Sequence, residues 1–187
     1  LVPGVLVFTS HPTTDLGTFA LGNLIKRPSV PAILPMRDRI EGWRIARAAG
    51  ALTPVPLQVT GAPLTAQLKL EGETPSVELT TGATLCNGLV NVAPDYVFDL
   101  AAGTDSVSIF FEGDGDTTLL VRDPAGNFVC ADDANGTANL NPLVVLTKPA
   151  EGNYMVWVGR LDPTAPVNGT LTVSPAADAQ PQPFTKP

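Results

Sequence analysis

"YVFDLAAGTDSVSIFFEGDGDTTLLVRDPAGNFVCA" (residues 96–131) decides the fold. Short runs of apolar and β-branched residues alternate there with clusters of Gly, Asp, Asn and Pro. Tyr96, Phe98 and Leu100 recur at period two, as do Val107, Ile109 and Phe111. That period puts each set on one face of a strand. The separators "AAGTD", "EGDGD" and "DPAGN" hold the residues that turns require, Gly for unusual backbone angles and Asp or Asn for bonding their own backbone. The stretch therefore reads as four strands, over 96–100, 106–111, 117–122 and 127–131.

Working outward, the pattern continues. Upstream lie "VPLQVT" (55–60), "AQLKL" (66–70) and "SVELT" (76–80); downstream lie "PLVVLT" (142–147), "NYMVWVGR" (153–160) and "GTLTVS" (169–174). Strands at intervals of about ten residues predict an all-β, jelly-roll-like β-sandwich over residues 54–175. "YMVWV" is apolar on both faces, so it is a central strand or its second face meets another layer.

The flanks differ. Residues 1–53 read as an extended N-terminal arm plus one short α-helix. Prolines at 12, 28, 31 and 35 favour extended and turn conformations there, around the β-prone run "VLVFT" (5–9). "PMRDRIEGWRIARAAG" (35–50) is the helix: Pro35 suits its first turn, Met36, Ile40 and Trp43 recur at helical spacing, and Gly50 ends it. Its arginines make a basic face, suited either to a membrane or partner or to solvent while Trp43 and Ile40 dock on the sandwich. Residues 176–187, "AADAQPQPFTKP", have linker composition.

Composition narrows the function. The net charge of −7 argues against nucleic acid, and no run approaches the apolar length that spans a membrane as a helix. The start at Leu1 carries no signal pattern, so the chain reads as a mature product or a fragment. Residues 1–60 hold six basic against three acidic residues, and residues 61–187 hold five against fifteen. Opposite halves can attract, within one molecule or between copies. Cys86 and Cys130 are the two cysteines, an even pair that suggests one disulfide formed in an oxidising compartment; two buried thiols are the alternative.

The pieces "CNG" (86–88), "APDY" (93–96), "DTTLLVRDPAG" (116–126), "CADD" (130–133), "NP" (141–142) and "GNYMVWVG" (152–159) follow one another in a familiar order. Over about residues 76–175 the chain resembles the bacterial pre-peptidase C-terminal-like domain, the module attached to secreted or periplasmic trypsin-like peptidases. That resemblance implies a compact sandwich of jelly-roll type outside the cytoplasm, with an accessory role rather than catalysis, and some members bind calcium.

No constellation points to a reaction, and the expectation is a protein that is not an enzyme. His11 is the one histidine, in the proline-bounded arm, and a Ser–His–Asp triad or a Cys–His pair needs a base placed between partners. Cys86, Cys130 and His11 lack zinc spacing, and the Gly-Asp-Gly at 113–115 lies in an acidic turn unsuited to phosphate. Calcium needs six to eight oxygen ligands. Asp114, Asp116, Asp132, Asp133, Asn135 and Asn139 are the candidates if their two loops meet; otherwise they bond their own backbone in turns, as Asn135-Gly136 does by type. No other cofactor is indicated. Both "NGT" triplets (135–137 and 168–170) read as turns.

The functional expectation is a non-catalytic, exported structural subunit of an extracellular or cell-surface assembly, with the periplasm as a further location. Val5, Leu6, Val7 and Phe8 form an arm that adds a strand to a neighbour's sheet, giving a homo-oligomer or filament. The alternative is an accessory binding module of a secreted hydrolase, recognising protein or polysaccharide.

Overall fold

The computed structural model describes residues 52–80, 86–136 and 138–184. The arm Val5–Phe8, His11 and the expected helix at 35–50 lie outside the described residues. Within them run β1 Val55–Leu57, β2 Leu64–Leu70, β3 Thr74–Pro75, β4 Leu89–Val90, β5 Tyr96–Leu100, β6 Ser106–Gly113, β7 Thr117–Arg122, β8 Phe128–Ala131, β9 Leu143–Thr147, β10 Gly152–Arg160 and β11 Val167–Ser174.

The longer strands form nested antiparallel pairs: β7 with β8, β6 with β9, β5 with β10 and β2 with β11. Rolled up, they give two facing sheets. One runs β2-β11-β6-β9, and the other runs β5-β10-β7-β8 with β1 parallel to β5 at its edge and the short β4 and β3 joined to it at the end of β10. Nested hairpins divided between two sheets in this way are a jelly roll. The expected all-β, jelly-roll-like sandwich is the fold.

Between the sheets lies one core. Phe98, Leu119, Val121, Tyr154, Val156 and Val158 face Val107, Ile109, Phe111, Val144, Leu171 and Val173, all buried. Each such side chain is worth roughly 1.5–3 kcal/mol when fully buried. Phe98 and Tyr154 are register partners, and their rings stack 5.2 Å apart.

β10 is the central strand, and its second face does meet another layer. Trp157, fully buried, packs there with Leu120, Met155, Phe128 and Cys130 beneath Leu79, Cys86 and Val90. The covering segment, residues 76–80 and 86–92, forms a flap. Gly159 of β10 allows it to sit close, since a Cβ there would lie 2.7 Å from Thr118 Cγ2 and 3.1 Å from Val90 Cγ1.

Three local expectations change. The strand predicted at 76–80 is a 3-10 turn over Ser76–Glu78. Pro75 precedes it, and the backbone closes on Ser76 O from Leu79 N and Thr80 N at 3.0 and 3.2 Å. Leu79 then faces inward and Val77 outward, which a strand would not allow. The run at 55–60 pairs only to Leu57, because Gly61 N–H closes a turn on Gln58 O at 3.0 Å. The tail, expected as a linker, lies on its own sandwich as far as Phe184.

Candidate functional site

The β7–β8 hairpin builds the densest cluster of chemistry. Its register pairs Leu119 with Ala131 and Leu120 with Cys130. Continued by two residues, that register brings Asp132 and Asp133 beside the start of β7, next to Asp116. Carboxylate oxygens of Asp116, Asp132 and Asp133 all lie within 4.8 Å of one another. Partial desolvation pushes the Asp132 carboxyl above its ordinary value, and the charges of Asp133 and then Asp116 push it further. Three clustered carboxylates could supply part of the oxygen shell of a hard divalent cation such as calcium.

The other residues named for calcium have different surroundings. Asp114 closes the turn against β11: its Oδ1 accepts Asn168 N–H at 2.8 Å and its Oδ2 accepts the Asn168 amide at 3.2 Å. Those bonds hold its carboxyl below the ordinary range. Asn135 is exposed at the loop tip, where its carbonyl accepts Ala138 N–H at 3.1 Å. Asn139 is buried, 7% exposed, and its amide grips the tail.

That grip is one end of a strap. Ser108 Oγ donates to Ala177 O at 3.2 Å, and Glu112 Oε1 accepts Gln182 N–H at 2.7 Å. Ser108 and Glu112 share the outward face of β6, so residues 177–182 run along that face past Phe110. Asn139 Nδ2 donates to Pro181 O at 3.3 Å, and its Oδ1 accepts Phe184 N–H at 3.0 Å. Asn141 links sheet to strap, taking Gly113 N–H at 3.1 Å and donating to Gln182 O at 2.8 Å. Sequence reading weighed Asn139 as a calcium ligand or as a residue bonding its own backbone in a turn, and passed over Asn141, Ser108 and Glu112. The available signal was "NLNP" (139–142), two small amides at spacing two in a loop, a pattern suited to local backbone bonding.

Cys86 and Cys130 form the disulfide, with Cα atoms 5.7 Å apart. It staples the flap to β8. Ser76 Oγ, fully buried, donates to Cys86 O at 2.7 Å and joins the two halves of the flap, while Trp157 Nε1 donates to Val92 O at 3.4 Å, so disulfide and indole tie flap to sheet at two points. Beside the staple opens a cleft of about 360 Å³, lined by Val77, Asn87, Leu89, Leu161 and Pro163 among others.

Two further polar groups, missed from the sequence, complete the flap's frame. β5 pairs with β10 as far as Val156, and β4 meets the same edge at Arg160. In the gap, Asp95 Oδ2 accepts Val158 N–H at 2.8 Å while its Oδ1 takes the Asn91 amide at 3.0 Å. Burial pushes this carboxyl above its ordinary value, although both bonds oppose the shift. Arg160 is 8% exposed; its Nε donates to Gly72 O at 3.2 Å, and one terminal nitrogen faces the carbonyls of Asp162, Pro163 and Ala165 at 2.9–3.4 Å.

No protein-family model matches the chain. No curated protein matches it in sequence. Among solved structures it is similar to PliG of Aeromonas hydrophila, a periplasmic inhibitor of g-type lysozyme, at 18% identity and a TM-score of 0.37, over 65% of this chain and 95% of that one.

Proposed function

We propose that this chain is an exported, non-catalytic structural subunit of an extracellular or cell-surface assembly, in which an extended segment of one copy adds a strand to the sheet edge of the next. The observation that carries this reading is where apolar side chains remain exposed. The flap covers one outer face and the strap crosses the other, yet the outer strands β8 and β9 present Val129 and Val145 at 43% and 47% exposure. Neither strand holds a charged residue or a proline. Sheet edges are commonly blunted by one or the other, and on the opposite side β1 contains Pro56 and β2 contains Lys69. An unblunted apolar edge suits an added strand, with main-chain bonds giving affinity.

The segment that fits is "VLVFT", matched in length to "LVVLT" of β9, so that Val5, Leu6, Val7 and Phe8 of a second copy make the contact. Repeated head to tail without closure, such a contact builds a filament. Export is supported by the disulfide and by the resemblance to pre-peptidase C-terminal-like domains. A structural role is supported by the use of Asp114, Asp95 and Asn139 to hold backbone.

Negative-stain electron microscopy and light scattering of the full chain and of a chain lacking residues 1–12 test this. Regular multimers from the full chain, lost on deletion while the sandwich keeps its circular dichroism, are the expected result. Multimers that survive the deletion, or a full chain that stays monomeric, overturn it. The accessory binding module then takes its place, and the cleft beside Cys86–Cys130 becomes the surface to probe.

A further inference from the structure

We infer that the outer face of the β2-β11-β6-β9 sheet is a docking groove for an extended, proline-containing polypeptide segment, and that the strap of a second copy can occupy it in place of the molecule's own. The inference does not depend on the N-terminal arm.

The contacts are those of a peptide site. Ser108 and Glu112 meet Ala177 O and Gln182 N–H, the amides of Asn139 and Asn141 meet Pro181 O, Phe184 N–H and Gln182 O, and Leu140 N–H meets Phe184 O at 2.8 Å. Every one of these bonds ends on a main-chain atom of the strap, and none uses the covalent link to β11. An extended segment arriving from elsewhere offers the same atoms.

The groove is built by the body of the molecule. Asn141 is 3% exposed and is set by Gly113 N–H on its Oδ1, while its own N–H donates to Asn139 Oδ1 at 3.1 Å and its carbonyl accepts Ala134 N–H at 2.9 Å. Both asparagines thus keep an amide donor aimed at the strap, and a buried donor left without an acceptor is costly. Pro181 is the buried residue of the strap, whereas Gln182 and Pro183 are exposed. Proline brings no N–H that would need a partner in the groove.

Exchange needs little rearrangement. β11 ends at Ser174, paired with Ser108, and the strap's first anchor is Ala177 on that same Ser108. Only Pro175 and Ala176 lie between. Swapping an identical element between copies keeps the contacts the same.

The test uses the full chain with a protease recognition sequence inserted after Pro175, cut once folded, and a fluorescent peptide of residues 177–187 as the probe. The expected result is a nicked body that keeps its circular dichroism, releases its strap on dilution and binds the peptide saturably. Asn141→Ala should weaken that binding tenfold or more, as should Pro181→Asp in the peptide, while Gln67→Ala, on the same sheet but bonded to Thr170 instead, leaves it unchanged. A body that unfolds when the strap leaves, a peptide that never exchanges in, or binding indifferent to Asn141→Ala overturns the inference.

Discussion

Asn139 and Phe184 stand 45 residues apart, and the side chain of the first accepts the backbone N–H of the second at 3.0 Å. The neighbouring Leu140 N–H returns a bond to Phe184 O at 2.8 Å, so the end of the described chain is held as a strand would be, by paired main-chain groups and one amide. Asn139→Ala removes an acceptor from Phe184 and Asn141 and a donor from Pro181. The expected cost is about 2 kcal/mol, read as a lower urea midpoint. Faster hydrogen exchange at Phe184 and new proteolytic cuts in 175–184 should accompany it. Unchanged exchange at Phe184 would mean that the Asn139 amide is not what protects it and that the remaining bonds of the strap suffice.

That strap shows where sequence reading stops. The sandwich was legible because Phe98, Ile109 and Val156 belong to runs whose alternation repeats often enough to fix a period. Trp157 was legible too, as the residue that made β10 apolar on both faces. The layer above Trp157 was not, because β3 and β4 are two residues each, too short to show a period, and the flap is positioned by a disulfide and by the Trp157 bond to Val92 O. Among the site residues, Asp116 and Asp132 were named, and the hairpin register joins them as their two loops required. Asn141 and Arg160 were not, since a side chain bonded to distant backbone leaves no periodic trace.

The disulfide ties the flap covalently to β8. Replacing both cysteines by alanine releases a closed loop whose ends are 44 residues apart, at an expected cost of about 4 kcal/mol on the chain-entropy estimate. In a Trp43→Phe background Trp157 is the sole tryptophan, and its emission should shift to longer wavelength as the flap lifts. Lost stability with unchanged emission would show that Leu79 and Val90 hold the flap without the staple.

Clustered charge at the end of the β7–β8 hairpin gives a third test. Asp133→Asn removes the larger of the two repulsions on Asp132, so the Asp132 carboxyl should titrate at lower pH than in the parent, as followed by carboxyl carbon resonances. Desolvation, the first cause of the shift, remains in the variant, so the return is partial. An Asp132 titration that does not move would show that the Asp133 charge does not reach it.

Asp95 sets a pH dependence of known sign. Its carboxyl is raised by burial in the folded chain, so on acidification the native state takes up this proton before the unfolded state does. Linkage then makes the group's contribution to stability grow as pH falls from its folded pKa toward the unfolded value of about 3.9, and level off below that. Asp95→Asn keeps an oxygen for Val158 N–H and removes the titration. The stability of Asp95→Asn relative to the parent, from urea melts at neutral pH and at successively lower pH, should therefore decline as the pH falls. A relative stability that rises on acidification would contradict a raised pKa.

Arg160 closes the frame around the flap. Its guanidinium serves carbonyls on two sides, Gly72 through Nε and the Asp162–Ala165 loop through a terminal nitrogen. A lysine has one nitrogen and cannot face both sets, which is why the exchange is not conservative at such a site. Bonds to a charged donor are worth roughly 1.5–3 kcal/mol each, and carbonyls stranded without one add to the loss. Arg160→Lys should thus cost about 2 kcal/mol, with Gly72 or the 162–165 loop, whichever the ammonium abandons, gaining backbone mobility in relaxation measurements. Arg160→Ala should loosen both together and cost more. If Lys matches Arg in stability, the two-sided grip is not what fixes β3 against β10.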